Sequence, residues 1–232
     1  MSNEFHVFIY DYCLTLYSVF RFQIVGIIVE ELHVFVEKQK IRYFFNGVTS
    51  GIPIILLHGA RFNADTWIET NTLEILTREG YSVYAVDLPG FGKSNKIPGT
   101  NSAADYSEFL FALLSILKLR KVVLLGPSLS GVISLIFTTK YPDQVSGLIL
   151  VGSAGPEVEE LKPKIRLFDL PTLIVWGEKD IVAPIHVAKD IHNSIKGSEL
   201  LVIEGGNHPC YLDDPQFFNR KLIEFLHTNL KT

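Results

Sequence analysis

The chain has 232 residues, of which 47% are hydrophobic, and this is enough to bury the core of a single α/β domain. Its 21 basic and 25 acidic residues give a net charge of −4 without any basic run, so nucleic acid and anionic membrane surfaces are poor candidate partners. The two cysteines, Cys13 and Cys210, form no motif, which argues against a disulfide framework and favours a reducing, cytoplasmic location.

Residues 1–29 form an apolar N-terminal extension. Asp11, Arg21 and Gln23 interrupt it, and its longest uncharged stretches, of 9 and 8 residues, are too short to span a bilayer. No basic residue precedes the apolar part and no small-residue cleavage site is evident, so a signal peptide is not expected. Three interpretations stay open: an extra strand or helix packed on the domain, a weak membrane association, or sequence upstream of the true start. The first and third are favoured.

Residues 30–232 predict a single domain of alternating strands and helices. A hairpin over residues 30–47, turning near Lys38 to Lys40, comes first. The predicted elements that follow are strand 53–57, helix 64–78, strand 81–88, helix 104–117, strand 121–125, helix 128–140, strand 147–152, helix 157–165, strand 172–176, a helix from Ile185, strand 199–204 and helix 215–230. Continuous apolar strands separated by helices are typical of a mostly parallel sheet with helices on both faces, which binds ligands at the carboxyl ends of its strands.

The segment GPSLSG (residues 126–131) directly follows one of these apolar strands and has the layout of a nucleophile elbow, G-x-S-x-G. Ser128 is then the apex of a strained turn that brings strand and helix close together, so small residues are required on both sides. Gly126 meets this requirement, and Ser130 stands where a second glycine is usual. We therefore expect Ser130→Gly to keep activity, because glycine would relieve crowding in the turn.

A serine hydroxyl becomes a nucleophile when a base takes its proton, and the base needs an acid to orient it. In this layout the order along the chain is Ser, then Asp or Glu, then His, each in a loop after a strand. Asp180 and His208 follow the last two predicted strands and are the candidate acid and base. Glu178 is the alternative acid, although it lies closer to the strand end. The simpler interpretation makes Asp180 a helix cap and His208 a loop histidine with a local hydrogen bond.

Two backbone N–H groups are the candidate oxyanion donors. Leu129 follows the nucleophile at a helix N-terminus, and Ala60 lies in the loop after strand 53–57. His58 precedes the nucleophile in the chain, so we interpret it as structural, bonding the loop backbone. Arg61 is either a solvated charge or a residue of the pocket mouth.

A different class of function, nucleotide binding, is excluded by one residue. The segment Gly92-Lys93-Ser94 after a strand is similar to the end of a P-loop, but Asp87 stands where that motif requires its first glycine. No spacing of His, Cys, Asp or Glu suggests a metal site, and neither metal nor other cofactor is expected. The sequence leaves the oligomeric state undetermined.

Four segments carry a family resemblance: LLHGARFNADTW (56–67), DLPGFGKS (87–94), GPSLSG (126–131) and HPCYLDDP (208–215). With them, residues 41–230 resemble the α/β-hydrolase-fold serine hydrolases. The first, third and fourth segments, including the serine after the elbow, are most similar to the α/β-hydrolase domain-containing 14 group. The resemblance implies an α/β-hydrolase fold and cleavage of small acyl esters through an acyl-enzyme on Ser128.

Members of this family commonly insert a lid after the strand that follows the nucleophile helix. Here only 19 residues, 153–171, separate the two predicted strands, which leaves room for one short helix and for no large lid domain. The expected partner is a small-molecule acyl ester in a shallow site. Two alternatives keep the same fold: an acyltransferase that uses the same three residues, and a non-catalytic ligand-binding protein. The intact Ser-Asp-His set argues against the second, whereas nothing in the sequence separates transfer from hydrolysis.

Overall fold

The computed structural model describes residues 20–24 and 27–230 of the chain. In this part, nine strands form one sheet in the order β1-β2-β3-β5-β4-β6-β7-β8-β9. The strands are β1 (Phe20–Ile24), β2 (Ile27–Val36), β3 (Gln39–Phe45), β4 (Pro53–Leu56), β5 (Ser82–Val86), β6 (Val122–Pro127), β7 (Val145–Val151), β8 (Thr172–Gly177) and β9 (Glu199–Ile203). The α-helices are α1 (Thr66–Glu69), α2 (Thr72–Arg78), α3 (Ala103–Ile116), α4 (Leu129–Lys140), α5 (Pro156–Ile165), α6 (Ile185–Ser194) and α7 (Pro215–Asn229).

The sheet has an antiparallel end and a parallel body. Strands β1, β2, β3 and β5 pair antiparallel in turn, whereas β5, β4, β6, β7, β8 and β9 run parallel. Parallel strands end at the same edge of a sheet, so the loops after β4, β6, β7, β8 and β9 meet there. The predicted α/β-hydrolase fold with a mostly parallel sheet is confirmed.

Helices cover both faces of the sheet, as predicted. Successive residues of a strand point to opposite faces, and β6 shows the consequence: Leu124 joins one buried apolar cluster, while Val123 and Leu125 join the other. The first cluster packs beneath α3, α4, α5 and α6, and the second beneath α1, α2 and α7. A strand buried on both sides must be apolar throughout, which explains the continuous apolar runs of the sequence.

Two predicted elements differ in detail. The helix expected over residues 64–78 is two helices, because the chain breaks at Asn71, whose φ of +57° is left-handed, a region that asparagine tolerates better than most residues. The hairpin turns one residue earlier than predicted. Val36 pairs with Gln39, and the intervening Glu37 and Lys38 have φ values of +49° and +65°. Two successive positive φ angles are characteristic of two-residue hairpin loops, whose twist matches that of the strands.

The segment predicted as an N-terminal extension contributes strands to the sheet. Phe20–Ile24 forms β1 and pairs with β2, which itself begins at Ile27. The expectations for residues 1–19 lie outside the described residues. In the ranges that the structure describes, the helices are too short or too polar to cross a membrane.

The connection from β7 to β8 holds one helix of 10 residues, α5. It leads from the carboxyl edge of the sheet back to the start of β8 and packs against α4 and α6. The prediction that no large lid domain is inserted here is confirmed.

Candidate active site

Ser128 occupies the sharp turn between β6 and α4. Its φ of +53° and ψ of −120° lie outside the regions that a non-glycine residue prefers, so the turn holds the serine in a strained conformation. The N–H of Ser128 donates to the Val151 carbonyl of β7 at 2.8 Å, which fixes the turn to the neighbouring strand. Strain that persists in a well-packed turn is a feature of functional sites.

The crowded positions of this turn are both glycines. A Cβ on Gly126 would lie 2.4 Å from the Ser130 carbonyl oxygen, and one on Gly131 would lie 1.6 Å from Ser153 Oγ. Ser130, by contrast, is fully buried with its hydroxyl donating to the carbonyl of His58. The tightest packing around the turn therefore includes Gly126 and Gly131, where a larger residue would meet the Ser130 backbone and Ser153 respectively.

Three predicted residues from separate loops meet in one hydrogen-bonded chain. Ser128 Oγ lies 3.0 Å from His208 Nε2, and His208 Nδ1 lies 2.7 Å from Asp180 Oδ2. A carboxylate only accepts, so the proton of the imidazole resides on Nδ1 and the lone pair of Nε2 faces the serine hydroxyl. This is the protonation pattern that a histidine base requires.

The carboxylate of Asp180 is fixed on both oxygens. Its Oδ1 accepts the N–H groups of Val182 at 2.9 Å and Ala183 at 2.7 Å, which leaves Oδ2 for His208. The Asp180 side chain is fully buried, whereas the His208 side chain is 13% exposed. The Asp–His pair is thus held rigidly, with the imidazole accessible from the solvent side.

Gly152, to which no sequence motif points, makes room for this pair. It directly follows β7 with a φ of +55°, and a Cβ on it would lie 3.1 Å from His208 Nδ1 and 3.3 Å from Asp180 Oδ2. The only signal in the sequence is a glycine directly after an apolar strand, which many turns share.

Glu178, the alternative acid, points elsewhere. Its Oε2 accepts the N–H of Gly205 at 2.9 Å, and the residue is exposed. The structure brings Asp180, and not Glu178, to His208.

One candidate oxyanion donor adjoins Ser128 in the chain, and the other belongs to a loop that packs against Ser128. Leu129 is the first residue of α4, and Ala60 follows Gly59, at which an added Cβ would lie 3.6 Å from Ser128 Cβ. Within residues 27–230, no backbone carbonyl accepts the N–H of Leu129 or of Ala60. Neither N–H is thus used in backbone pairing within this range, as an oxyanion donor requires. The neighbouring Arg61 is exposed.

His58 is fully buried, and both of its ring nitrogens bond backbone groups. Its Nδ1 lies 2.9 Å from the Gly59 carbonyl, and its Nε2 accepts the N–H of Leu88 at 3.0 Å. The predicted structural role of His58 is confirmed. Burial lowers the pKa of this imidazole, because removal from water disfavours the cation more than the hydrogen bond to Gly59 and the charge of Asp87 favour it.

The lowered pKa of His58 makes the free energy of unfolding depend on pH. Below the ordinary value of 6.5 the unfolded chain binds a proton that the folded protein excludes, so stability falls as the pH falls. The His58 contribution should reach about 1.4 kcal/mol per pH unit at most. Urea unfolding between pH 7.5 and 5.5 measures this slope. We expect His58→Gln, although less stable at neutral pH, to show a shallower slope; parallel curves for the two proteins would contradict the assignment.

Asp87, which ruled out a P-loop, organises the loop behind the site. Its carboxylate accepts the N–H groups of Ala64 at 2.7 Å and Lys93 at 2.8 Å and pairs with the buried guanidinium of Arg42 at 3.2 Å. A Cβ on Gly92 would lie 2.2 Å from Asp87 Oδ2. The segment DLPGFGKS is therefore a structural loop here.

Cys210 lies two residues after His208 and is fully buried. Burial raises the pKa of its thiol to about 12, with a smaller contribution from the charge of Asp180. Because the thiolate is the reactive form, we expect iodoacetamide at pH 8 to leave Cys210 unmodified in the folded protein and to alkylate it fully in urea. Mass spectrometry of the peptide that contains Cys210 measures both states. Rapid alkylation of the folded protein would contradict this.

Within residues 20–24 and 27–230, no group of three or more His, Cys, Asp or Glu residues is placed to hold a metal ion.

Comparison with known proteins agrees with the geometry. A family model described as alpha/beta hydrolase fold matches residues 52–169. ABHD14B of Rattus norvegicus is 34% identical over 184 residues, covering 78% of this chain and 86% of the relative. ABHD14A of Danio rerio is 33% identical over 177 residues, covering 75% of this chain and 64% of the relative. The crystal structure of a predicted CIB-like hydrolase from Thermoplasma acidophilum is similar with a TM-score of 0.83 and 32% identity, covering 88% of this chain and 100% of that one. The chain is therefore a hydrolase that belongs to the α/β-hydrolase family, and it resembles the ABHD14 proteins within it.

Proposed function

We infer that this protein is a serine hydrolase that cleaves small carboxylic esters through an acyl-enzyme on Ser128. The observation that carries the proposal is the hydrogen-bonded chain from Ser128 through His208 to the buried Asp180. It lies at the edge of the sheet where parallel strands end and ligands bind. A strained turn that presents the serine supports the same conclusion.

The mechanism follows from the roles of these groups. Ser128 Oγ attacks the ester carbonyl carbon while His208 Nε2 takes the serine proton, and Asp180 stabilises the resulting imidazolium. The carbonyl oxygen becomes an oxyanion that the N–H groups of Ala60 and Leu129 stabilise. The imidazolium then returns its proton to the leaving alcohol as the ester bond breaks. Water attacks the acyl-enzyme by the same steps and frees the serine.

The relatives suggest a second substrate class for the same chemistry. Rat ABHD14B is named as a candidate protein-lysine deacylase. An acylated lysine is an amide, and its leaving amine would take its proton from His208 as an alcohol does. The short α5 connection, which inserts no lid domain, supports access by a protein side chain as well as a small ester.

Acyl transfer and non-catalytic binding are the alternatives. Transfer requires that a nucleophile other than water resolve the acyl-enzyme, and product analysis with competing alcohols, amines and thiols separates it from hydrolysis. A binding protein would need no base aligned with a serine, so the bond between His208 and Ser128 disfavours that alternative.

The cytoplasm remains our proposed location, supported by the buried free thiol of Cys210.

A fluorophosphonate probe tests the proposal, because it reacts covalently with activated serines. We expect a single adduct, located by mass spectrometry on Ser128, and no adduct in Ser128→Ala. Brief incubation with a p-nitrophenyl ester and acid quenching should likewise leave the acyl group on Ser128. An adduct on Ser130, or no adduct at all, would overturn the assignment.

A further inference from the structure

Ser130 differs from the other hydroxyl residues of α4. Ser134, Thr138 and Thr139 each donate back along the helix to the carbonyl four residues earlier, as hydroxyls in helices commonly do. Ser130 instead donates to the carbonyl of His58, which is 72 residues away in the chain and lies in the loop after β4. The side chain of Ser130 is fully buried, so this bond is not exchanged with solvent.

The loop that receives this bond is held at three successive carbonyls. Trp67 Nε1 donates to the Leu57 carbonyl at 3.0 Å, and Ser130 donates to that of His58. The Gly59 carbonyl accepts the N–H of Phe62 at 3.0 Å and the Nδ1–H of His58 at 2.9 Å. Each donor fixes the orientation of one peptide plane, because the peptide unit is rigid.

The last of these planes contains the candidate oxyanion donor. In a trans peptide the carbonyl and the N–H point in opposite directions, so the bonds to the Gly59 carbonyl aim the Ala60 N–H the other way. The bond from Ser130 fixes the plane immediately before it. Because Ser130 follows Leu129 on α4, this bond also ties the helix that carries one candidate donor to the loop that carries the other.

We propose that Ser130 is a positioning residue of the oxyanion hole. Its hydroxyl keeps the Ala60 N–H directed at the same oxyanion as the Leu129 N–H. The inference rests on the proposed function, since it assigns a role within that reaction. Ser130 does not touch the substrate and acts through the His58 carbonyl. It replaces the expectation that Ser130→Gly keeps activity, because the hydroxyl has a partner that glycine cannot supply.

Ser130→Ala and Ser130→Gly test the proposal, with Thr138→Val as the matched control. Thr138 is equally buried on the same helix, but its hydroxyl bonds only within α4. Removing a whole oxyanion donor costs about 10²–10³ in kcat, so a misaligned one should cost about 10- to 100-fold. We expect both Ser130 variants to lose kcat to this extent with KM little changed. The control should keep wild-type kcat.

The affinity for a transition-state analogue distinguishes this positioning role from a general loss of packing around Ser130. A trifluoromethyl ketone adds to Ser128 and places an oxyanion in the hole, whereas an ether analogue of the substrate carries no oxyanion. We expect the Ser130 variants to lose affinity for the ketone by the same factor as kcat/KM and to keep affinity for the ether. Equal losses for both ligands would overturn the proposal, as would wild-type kcat in Ser130→Gly.

All rate measurements are normalised to the concentration of reactive sites. Each kcat is expressed per Ser128 titrated with the fluorophosphonate probe, so loss of folded protein is not counted as loss of catalysis. A wild-type protein that takes no label at Ser128 refutes the proposed function itself. A labelled and active wild type with fully active Ser130 variants refutes only the positioning role.

Discussion

Replacing Ser128 with alanine is expected to lower kcat for ester cleavage by about 10⁴-fold or more, because the covalent route disappears. The variant should still fold. The side chain of Ser128 makes a hydrogen bond to His208, and alanine keeps the Cβ that the surrounding turn already accommodates. Stopped-flow assays with a p-nitrophenyl ester measure the turnover, and thermal unfolding checks the fold.

The size of the loss separates the two serines of the elbow. If Ser128→Ala kept a tenth of wild-type turnover while a Ser130 variant lost the acyl-enzyme, the nucleophile would be Ser130. The strain at Ser128, with its φ of +53°, argues against that result. Ser130 is the second residue of α4, has no positive φ, and donates its hydroxyl to the His58 carbonyl.

Much of the site could be predicted because parallel strands bring the loops that follow them to one edge of the sheet. Ser128, Asp180 and His208 lie 52 and 28 residues apart in the chain, but each follows a strand of the same parallel array. Strands recognised from their apolar runs therefore place the three loops at one edge, without any knowledge of distances. Asp180 is favoured over Glu178 because it lies farther from the strand end, and the two carboxylates point in different directions.

Features that depend on backbone angles and long-range packing could not be predicted. The break between α1 and α2 at Asn71 follows from one left-handed residue within an otherwise helical pattern. The role of Gly152 depends on how closely the imidazole of His208 approaches it. The partner of Ser130 lies on a loop whose path is set by the packing of Trp67 and by the Asp87 network. No local pattern encodes these contacts.

The second large effect is expected for Asp180→Asn, and the structure determines how it arises. Asp180 Oδ1 accepts two backbone N–H groups, so the asparagine must place its carbonyl oxygen there and its amide nitrogen toward His208. An amide nitrogen donates, which obliges His208 Nδ1 to accept. The imidazole proton then moves to Nε2 and faces Ser128, where it prevents the histidine from taking the serine proton.

We therefore expect Asp180→Asn to fold normally and to lose about 10⁴-fold in kcat, as the wrong tautomer does in other Ser-His-Asp enzymes. Glu178→Gln is the matched control, because Glu178 is exposed and its carboxylate accepts the N–H of Gly205, a bond that the amide oxygen can retain. This control should keep wild-type turnover. Near-wild-type activity in Asp180→Asn, together with a loss in Glu178→Gln, would transfer the role of the acid to Glu178. Ser128 and His208 would keep their roles in that case, since the contact between His208 Nε2 and Ser128 Oγ does not depend on which carboxylate orients the ring.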